Sequence, residues 1–189
     1  MQVVMEESWN TRIKRWGFNW FPAFRGTGAR LTYIAGDWKE VRLRIPLNWR
    51  TRNYVGTIYG GSIYGAVDPV YMIMLIKLLG PGYIVWLKES TVSFLRPGRE
   101  TLHARFRVDD DHLEGIRREL LEKKNTKREY EIPVTDRGGT PHAVVREIIH
   151  IQRKPSGTRV LTKETGGQGT DEASFAIDER RSGGALPER

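Results

Sequence analysis

Apolar and polar residues alternate strictly at Val41-Arg-Leu-Arg-Ile45 and again at Leu102-His-Ala-Arg-Phe-Arg-Val108. A two-residue period is that of a strand with one face buried and the other in water. Tyr130, Ile132 and Val134 repeat the pattern. The outward positions are largely arginine, so these read as antiparallel strands with a basic outer face. Ala29 to Ala35 predicts a strand before them, and the long β-branched and aromatic runs Tyr83 to Leu95 and Ala143 to Ile151 predict two more. Gly36-Asp37, Pro97-Gly98 and Gly138-Gly139 punctuate these segments as turns. Helical spacing replaces alternation in two places. Asp110 to Lys124 carries Leu113, Ile116, Leu120 and Leu121 on one side, and Ser8 caps a short helix whose apolar face is Trp9, Ile13 and Trp16, an aromatic arm expected to cover something apolar.

The stretch Thr57 to Ile76 follows neither amphipathic pattern. It is apolar nearly all round, as a helix buried in a core or a membrane would be, and Asp68 is its one charged residue. Asp68 is also the single acidic residue between Glu40 and Glu89. A carboxylate in such surroundings needs hydrogen-bond partners or a raised pKa. On a helix, Gly61, Gly65 and Asp68 share one stripe, a shallow groove with a carboxylate in its floor. Two readings stand for Asp68: a functional group, or a structural one that is hydrogen-bonded to neighbouring amides or paired with Lys88 or an Arg. As a membrane span the stretch would carry Asp68 at its centre, which costs roughly 2.5 to 3.5 kcal/mol on insertion scales, so no span is expected. Pro69 removes one helical amide directly after Asp68. The resulting order of elements, strands in runs around one buried helix, predicts an α+β fold with an antiparallel sheet covering that helix.

Composition adds bounds rather than chemistry. The 189 residues suit one domain over 1–154, and from Pro155 the chain is poor in large apolar side chains, so 155–189 is expected to be a disordered tail. Zero cysteines exclude disulfides and thiol chemistry. The first 152 residues hold 24 Lys and Arg against 17 Asp and Glu, so the basic excess belongs to the folding part. That excess suits a nucleic acid, an anionic membrane or a phosphate-bearing small ligand equally. The first ten residues lack a charged start followed by an apolar block, so a cytoplasmic location is expected. Gly60-Gly-Ser62-Ile-Tyr64 lacks the closing glycine of a serine-hydrolase elbow, and the four histidines lie on separate elements without metal-ligand spacing.

The run Asn53-x-x-Gly56-Thr57-x-Tyr59-Gly60-Gly61, with Asp68 seven residues on, resembles the signature of hotdog-fold acyl-CoA thioesterases of the phenylacetate-pathway type. With Asp68-Pro69 and the Arg96-Pro-Gly-Arg99 turn it is similar to an uncharacterised, tetrameric branch of that superfamily. The resemblance covers roughly Arg30 to Lys154. It implies a sheet wrapped around a long central helix, an acyl-CoA substrate, no metal or redox cofactor, and sites formed between protomers of a homodimer or homotetramer. It places catalytic roles on Asp68, as base or nucleophile, on the Gly60 amide, and on Asn53 and Tyr59. Substrate contacts are expected at Gly61, Gly65, Trp86, Lys88, Arg50 and Arg52, with the acyl chain in the groove beside Gly61, Gly65 and Asp68 and with Arg and Lys holding the nucleotide phosphates. Two positions depart from the pattern: Tyr59 stands where catalytic relatives carry His, and Leu87 where some carry a water-orienting Ser. A bare edge strand at Val41 to Ile45 is expected to invite pairing between protomers. The rival reading is a non-catalytic basic protein that binds nucleic acid through its strand faces.

Overall fold

In the computed structural model residues 5–154 are described; the tail expected from 155 lies outside them. The chain runs α1 (Trp9–Trp20), α2 (Pro22–Gly26), β1 (Arg30–Ile34), β2 (Glu40–Ile45), α3 (Gly60–Leu79), β3 (Tyr83–Phe94), β4 (Leu102–Arg107), α4 (Asp110–Glu122), β5 (Asn125–Thr135) and β6 (Pro141–Arg153). Six strands form one antiparallel sheet in the order β1-β2-β4-β5-β6-β3. The strand alternation therefore resolves into one inner face, carrying Val41, Leu43, Ile45, Leu102, Ala104, Phe106, Ile132, Val134, Val145, Ile149 and Ile151, all buried. Against that face lies α3, which buries Ile63, Ala66, Val67, Val70, Met74 and Leu75. This helix is long and apolar enough to cross a membrane by length and composition, yet half of it is buried inside the protein, as a core helix is.

The boundaries of α3 differ from the expected Thr57 to Ile76. Thr57 is held in the preceding loop by Asn53, so the helix starts only at Gly60. It ends at Gly80, whose φ of 85° suits glycine alone at little cost. The last turn thereby includes Lys77, a cation placed favourably at the negative end of the helix dipole.

Two expectations are corrected. Val41 to Ile45 lies between β1 and β4, so it is no edge; the edges are β1 and the twelve-residue β3. The aromatic arm is turned the other way. Trp9, Ile13 and Trp16 are 72%, 58% and 64% exposed, while the sheet side of α1 carries buried Thr11 and half-buried Arg15, Phe18 and Asn19. The reason is the unpaired rim of β1. Asn19 closes it as a strand would, its Nδ2 donating to Leu31 O at 3.0 Å and its Oδ1 accepting from Leu31 N at 2.8 Å. Glu7, clamped by Arg15 at 2.7 Å, accepts from the Ile34 amide beside it. Satisfying backbone groups at a sheet edge outranks hiding the aromatic stripe. The Ser8 cap forms as the sequence implies, accepting from Thr11 N.

The basic outer face is largely self-neutralised. Glu40, only 5% exposed, sits among Arg42, Arg105 and Arg107 at 2.6, 2.7 and 3.3 Å. Burial alone would raise its pKa, but the hydrogen bonds from Arg105 and Arg42 outweigh that and hold it at about 2.

Candidate active site at the start and middle of the central helix

The loop before α3 is built by side chains that cap their own backbone. Asn53 Oδ1 accepts from the amides of Thr57 and Val55 at 2.9 and 3.1 Å, and its Nδ2 donates to Thr57 Oγ1 at 2.9 Å. Gly56 inside this turn has φ 81°. Tyr59 N then donates to Thr51 O at 2.7 Å, and Ile58 N to Gly98 O at 2.9 Å, so the Arg96 to Arg99 turn braces the loop. Asn53 thus spends its amide on the loop; its place is to shape the entry.

Tyr59 caps α3 by position but gives it no side-chain hydrogen bond. Among the described residues the amides of Gly60 and Gly61 have no acceptor, the condition in which a helix start attracts negative charge. At both glycines an added side chain would meet an exposed aromatic ring. A Cβ on Gly60 would come within 2.7 Å of the Phe94 ring, and one on Gly61 within 2.3 Å of the Tyr59 ring. Two aromatic rings therefore flank the helix start. Gly65 faces Thr27, whose methyl would lie 3.1 Å from an added Cβ. The stripe expected as an open groove is lined in this way by Tyr59 and Thr27.

Asp68 lies one to two turns further along and is half-buried. Tyr64, one turn before it, donates its hydroxyl to Asp68 Oδ1 at 3.2 Å. Neither Lys88 nor any arginine pairs with it among the described residues, so the structural ion pair is not what holds it. Burial, then Asp68 and Glu147, push the Tyr64 hydroxyl above its usual range.

Glu147 was not singled out by motif, yet it is the most unusual side chain here. It sits at 0% exposure on the inner face of β6, between Val145 and Ile149, and among the described residues neither carboxyl oxygen has a hydrogen-bond partner. Across the sheet it is opposite Ser90 of β3 and Tyr130 of β5. The Ser90 hydroxyl is buried and, among the described residues, unpartnered as well. On the helix side, Tyr71 stacks on Tyr130 with centroids 3.9 Å apart. Burial first, and the Asp68 charge second, push the Glu147 carboxyl up to about 8. The signal was in the alternation: a charged residue at an inward position of the run Ala143 to Ile151. Ser90 carried no such signal. The register of β3 slips between Leu87 and Glu89, so Lys88 is an extra residue and the inward series passes from Leu87 to Ser90.

The remaining expected contacts are not gathered here. Trp86 stacks on His150 at 4.0 Å, on the outer face of the sheet, because strand alternation sends it away from Leu87. Lys88 is exposed at the bulge, and Arg52 is exposed in the entry loop. Arg50 donates to Arg25 O at 2.9 Å and lines a separate cleft of about 560 Å³ with Arg25, Arg30, Arg44, Trp16 and Trp20, beside β1. His112 hydrogen-bonds Tyr130 Oη at 2.8 Å, and His142 lies 3.3 Å from Asp136; among the described residues no three possible ligands cluster for a metal.

A long apolar helix carrying one carboxylate, enclosed by a six-stranded antiparallel sheet, defines a hotdog-fold protein. The solved structures agree. A protein from Pseudomonas aeruginosa of unknown function, described as a probable thioesterase, superposes with a TM-score of 0.68 at 21% identity, over 80% of this chain and 100% of that one. A Haemophilus influenzae thioesterase gives 0.60 at 13% identity, over 82% and 99%. A Chlorobaculum tepidum protein of unknown function gives 0.62 at 15%, over 81% and 100%. The chain belongs to the family described as a domain of unknown function, DUF4442, whose model matches residues 10–152. No curated protein matches it by sequence.

Proposed function

We propose that this protein hydrolyses an acyl-CoA thioester, or binds one without turning it over, at a site shared between protomers of a homodimer or homotetramer. The observation that carries the reading is Asp68, half-buried and oriented by Tyr64 on a helix whose first amides are free to receive an oxyanion. Asp68 takes a proton from water as the water oxygen bonds to the acyl carbon. The Gly60 amide receives the charge on the carbonyl oxygen. The carbon–sulfur bond then breaks, and the proton held by Asp68 goes to the leaving thiolate. Acid and thiol are the products, and no metal or redox cofactor enters the scheme.

Helix geometry supports the shared site. Eight residues at a 1.5 Å rise separate Gly60 from Asp68 by about 12 Å, too far for both to act on one thioester. A second protomer is needed to bring its Gly60 to this Asp68. The long β3 edge and the outward Trp9, Ile13 and Trp16 offer surface for such association. Light scattering at micromolar concentration is expected to give a dimer or tetramer; a monomer removes the shared-site scheme.

The rival, a basic protein binding nucleic acid, is weakened by the ion pairs of the outer face, where Arg42, Arg105 and Arg107 are spent on Glu40 and Arg146 on Glu131. The direct test is a panel of short, long and aromatic acyl-CoAs with thiol release as readout. No release and no binding across the panel overturns the proposal. Tyr59→His is expected to raise turnover, because it restores the residue that catalytic relatives carry at this position without touching Asp68; unchanged or lower turnover shows that Tyr59 is not the weak point of the site.

A further inference from the structure

Over much of the outer face arginines are matched to acids, Arg42, Arg105 and Arg107 to Glu40 and Arg146 to Glu131. The cleft beside β1 differs. Its volume of about 560 Å³ lies within the range of small-molecule pockets, and no acidic residue lines it. Arg15 on its wall is held by Glu7, but Arg25, Arg30, Arg44 and Arg50 are exposed and make no ion pair among the described residues. Arg30 and Arg44 stand directly opposite each other in the register of β1 and β2, and so share one face. Like charges in that position repel and cost stability. An anion bound between the two guanidinium groups relieves the cost. The apolar side of the cleft is aromatic. Trp20 carries the Arg25 guanidinium 4.8 Å above its ring, and Arg50 donates to Arg25 O at 2.9 Å, so this corner is preassembled. Trp16, one helical turn before Trp20 on the same wall, has no cation over its ring among the described residues.

We infer that this cleft binds a nucleotide, its phosphates between Arg30 and Arg44 and its base against Trp16. Guanidinium groups take phosphate oxygens two at a time, and an indole face stacks on a base whatever the base is. Phosphate alone would leave the aromatic wall unused. A nucleic-acid strand would need a basic track leading away from the cleft, and the next arginines across the sheet, Arg42, Arg105 and Arg107, are held by Glu40. The bounded volume therefore suits a single nucleotide. A free nucleotide and the nucleotide end of coenzyme A present the same chemistry to these residues; the second source alone rests on the thioesterase reading.

The test is calorimetric titration of the full chain with ADP, CoA, pyrophosphate and adenosine, in wild type, Arg44→Gln and Trp16→Leu. ADP and CoA are expected to bind and adenosine is not. Arg44→Gln is expected to weaken ADP and pyrophosphate alike, by about tenfold for one lost charge-assisted contact. Trp16→Leu is expected to weaken ADP and leave pyrophosphate unchanged. CoA that binds more tightly than ADP and is displaced by it identifies the coenzyme as the source, and ADP at least as tight as CoA identifies a free nucleotide. No binding of ADP, or an ADP affinity unchanged in Arg44→Gln, overturns the inference. So does pyrophosphate as tight as ADP, which would mean an anion site only, and so does a single-stranded oligonucleotide far tighter than ADP. Without ligand, Arg44→Gln is expected to melt no lower than wild type, because it removes the repulsion from Arg30; a lower melting temperature gives Arg44 a partner in the protein and sinks the site. Failure of the acyl-CoA panel leaves ADP binding to be decided by itself, and failure of ADP to bind leaves hydrolysis at Asp68 untouched.

Discussion

Asp68→Asn is expected to lower acyl-CoA hydrolysis by about 10² to 10⁴ while leaving ligand affinity and melting temperature nearly unchanged. Asparagine keeps the size of the side chain, and its carbonyl oxygen still accepts from the Tyr64 hydroxyl that Asp68 now binds at 3.2 Å. What it loses is the capacity to take a proton. A structural carboxylate would behave in the reverse order. Stability would fall first, and activity would follow only in proportion to the unfolded fraction. Among the described residues no cation pairs with Asp68, so a structural role would have to rest on hydrogen bonds such as the one from Tyr64. Thiol release, calorimetric binding of the ligand and a thermal melt, made on one preparation, distinguish the two.

Glu147→Leu is expected to act on stability instead, raising it. Leucine fits between Val145 and Ile149 on the same buried face and removes two oxygens that have no partner among the described residues. Leaving such a group unsatisfied costs about 1 to 3 kcal/mol, which corresponds to a rise of roughly 2 to 10 °C for a chain of this size. The pH dependence carries a sharper signature. Glu147 is raised from 4.5 to about 8 in the folded protein. Between those values the unfolded chain has released its proton and the folded one has not. This component of stability is therefore complete below pH about 4.5 and declines as pH rises to about 8, at up to about 1.4 kcal/mol per pH unit. Denaturant midpoints across this range should slope downward in wild type and lose that slope in Glu147→Leu. A lower melting temperature, or an unchanged slope, would mean that Glu147 has a partner in the protein.

Much of this architecture was legible because it depends on local periodicity. The alternations around Val41, Leu102 and Ile132 and the unbroken apolar run before Lys77 set which residues face inward, whatever they face. Asp68 was legible for the same reason, as one charge in an apolar run. Glu147 obeyed the same rule and was available to it, but a single acid in a β-branched strand draws less notice than one in a glycine motif. Ser90 was out of reach, since a bulge at Lys88 shifts the inward series by one residue and nothing in the side chains announces it. Trp86 and the arginines show the opposite limit. Residue type suggested ligand contacts, and strand parity sent Trp86 to the outer face, while Glu40 drew in Arg105 and Arg107.

The sequence by itself determined the elements, their order and the carboxylate on the central helix, because hydrophobic period and turn residues act within a few positions of the chain. The tertiary structure alone decided three things. Strand order made β3 rather than β2 an edge, because pairing joins segments far apart in sequence. The open rim of β1 turned the α1 aromatics outward, because unpaired backbone groups there needed Asn19 and Glu7 more than the tryptophans needed cover. Strand pairing put Glu147 opposite Ser90 and Tyr130 on the buried face, because that meeting joins segments far apart in sequence.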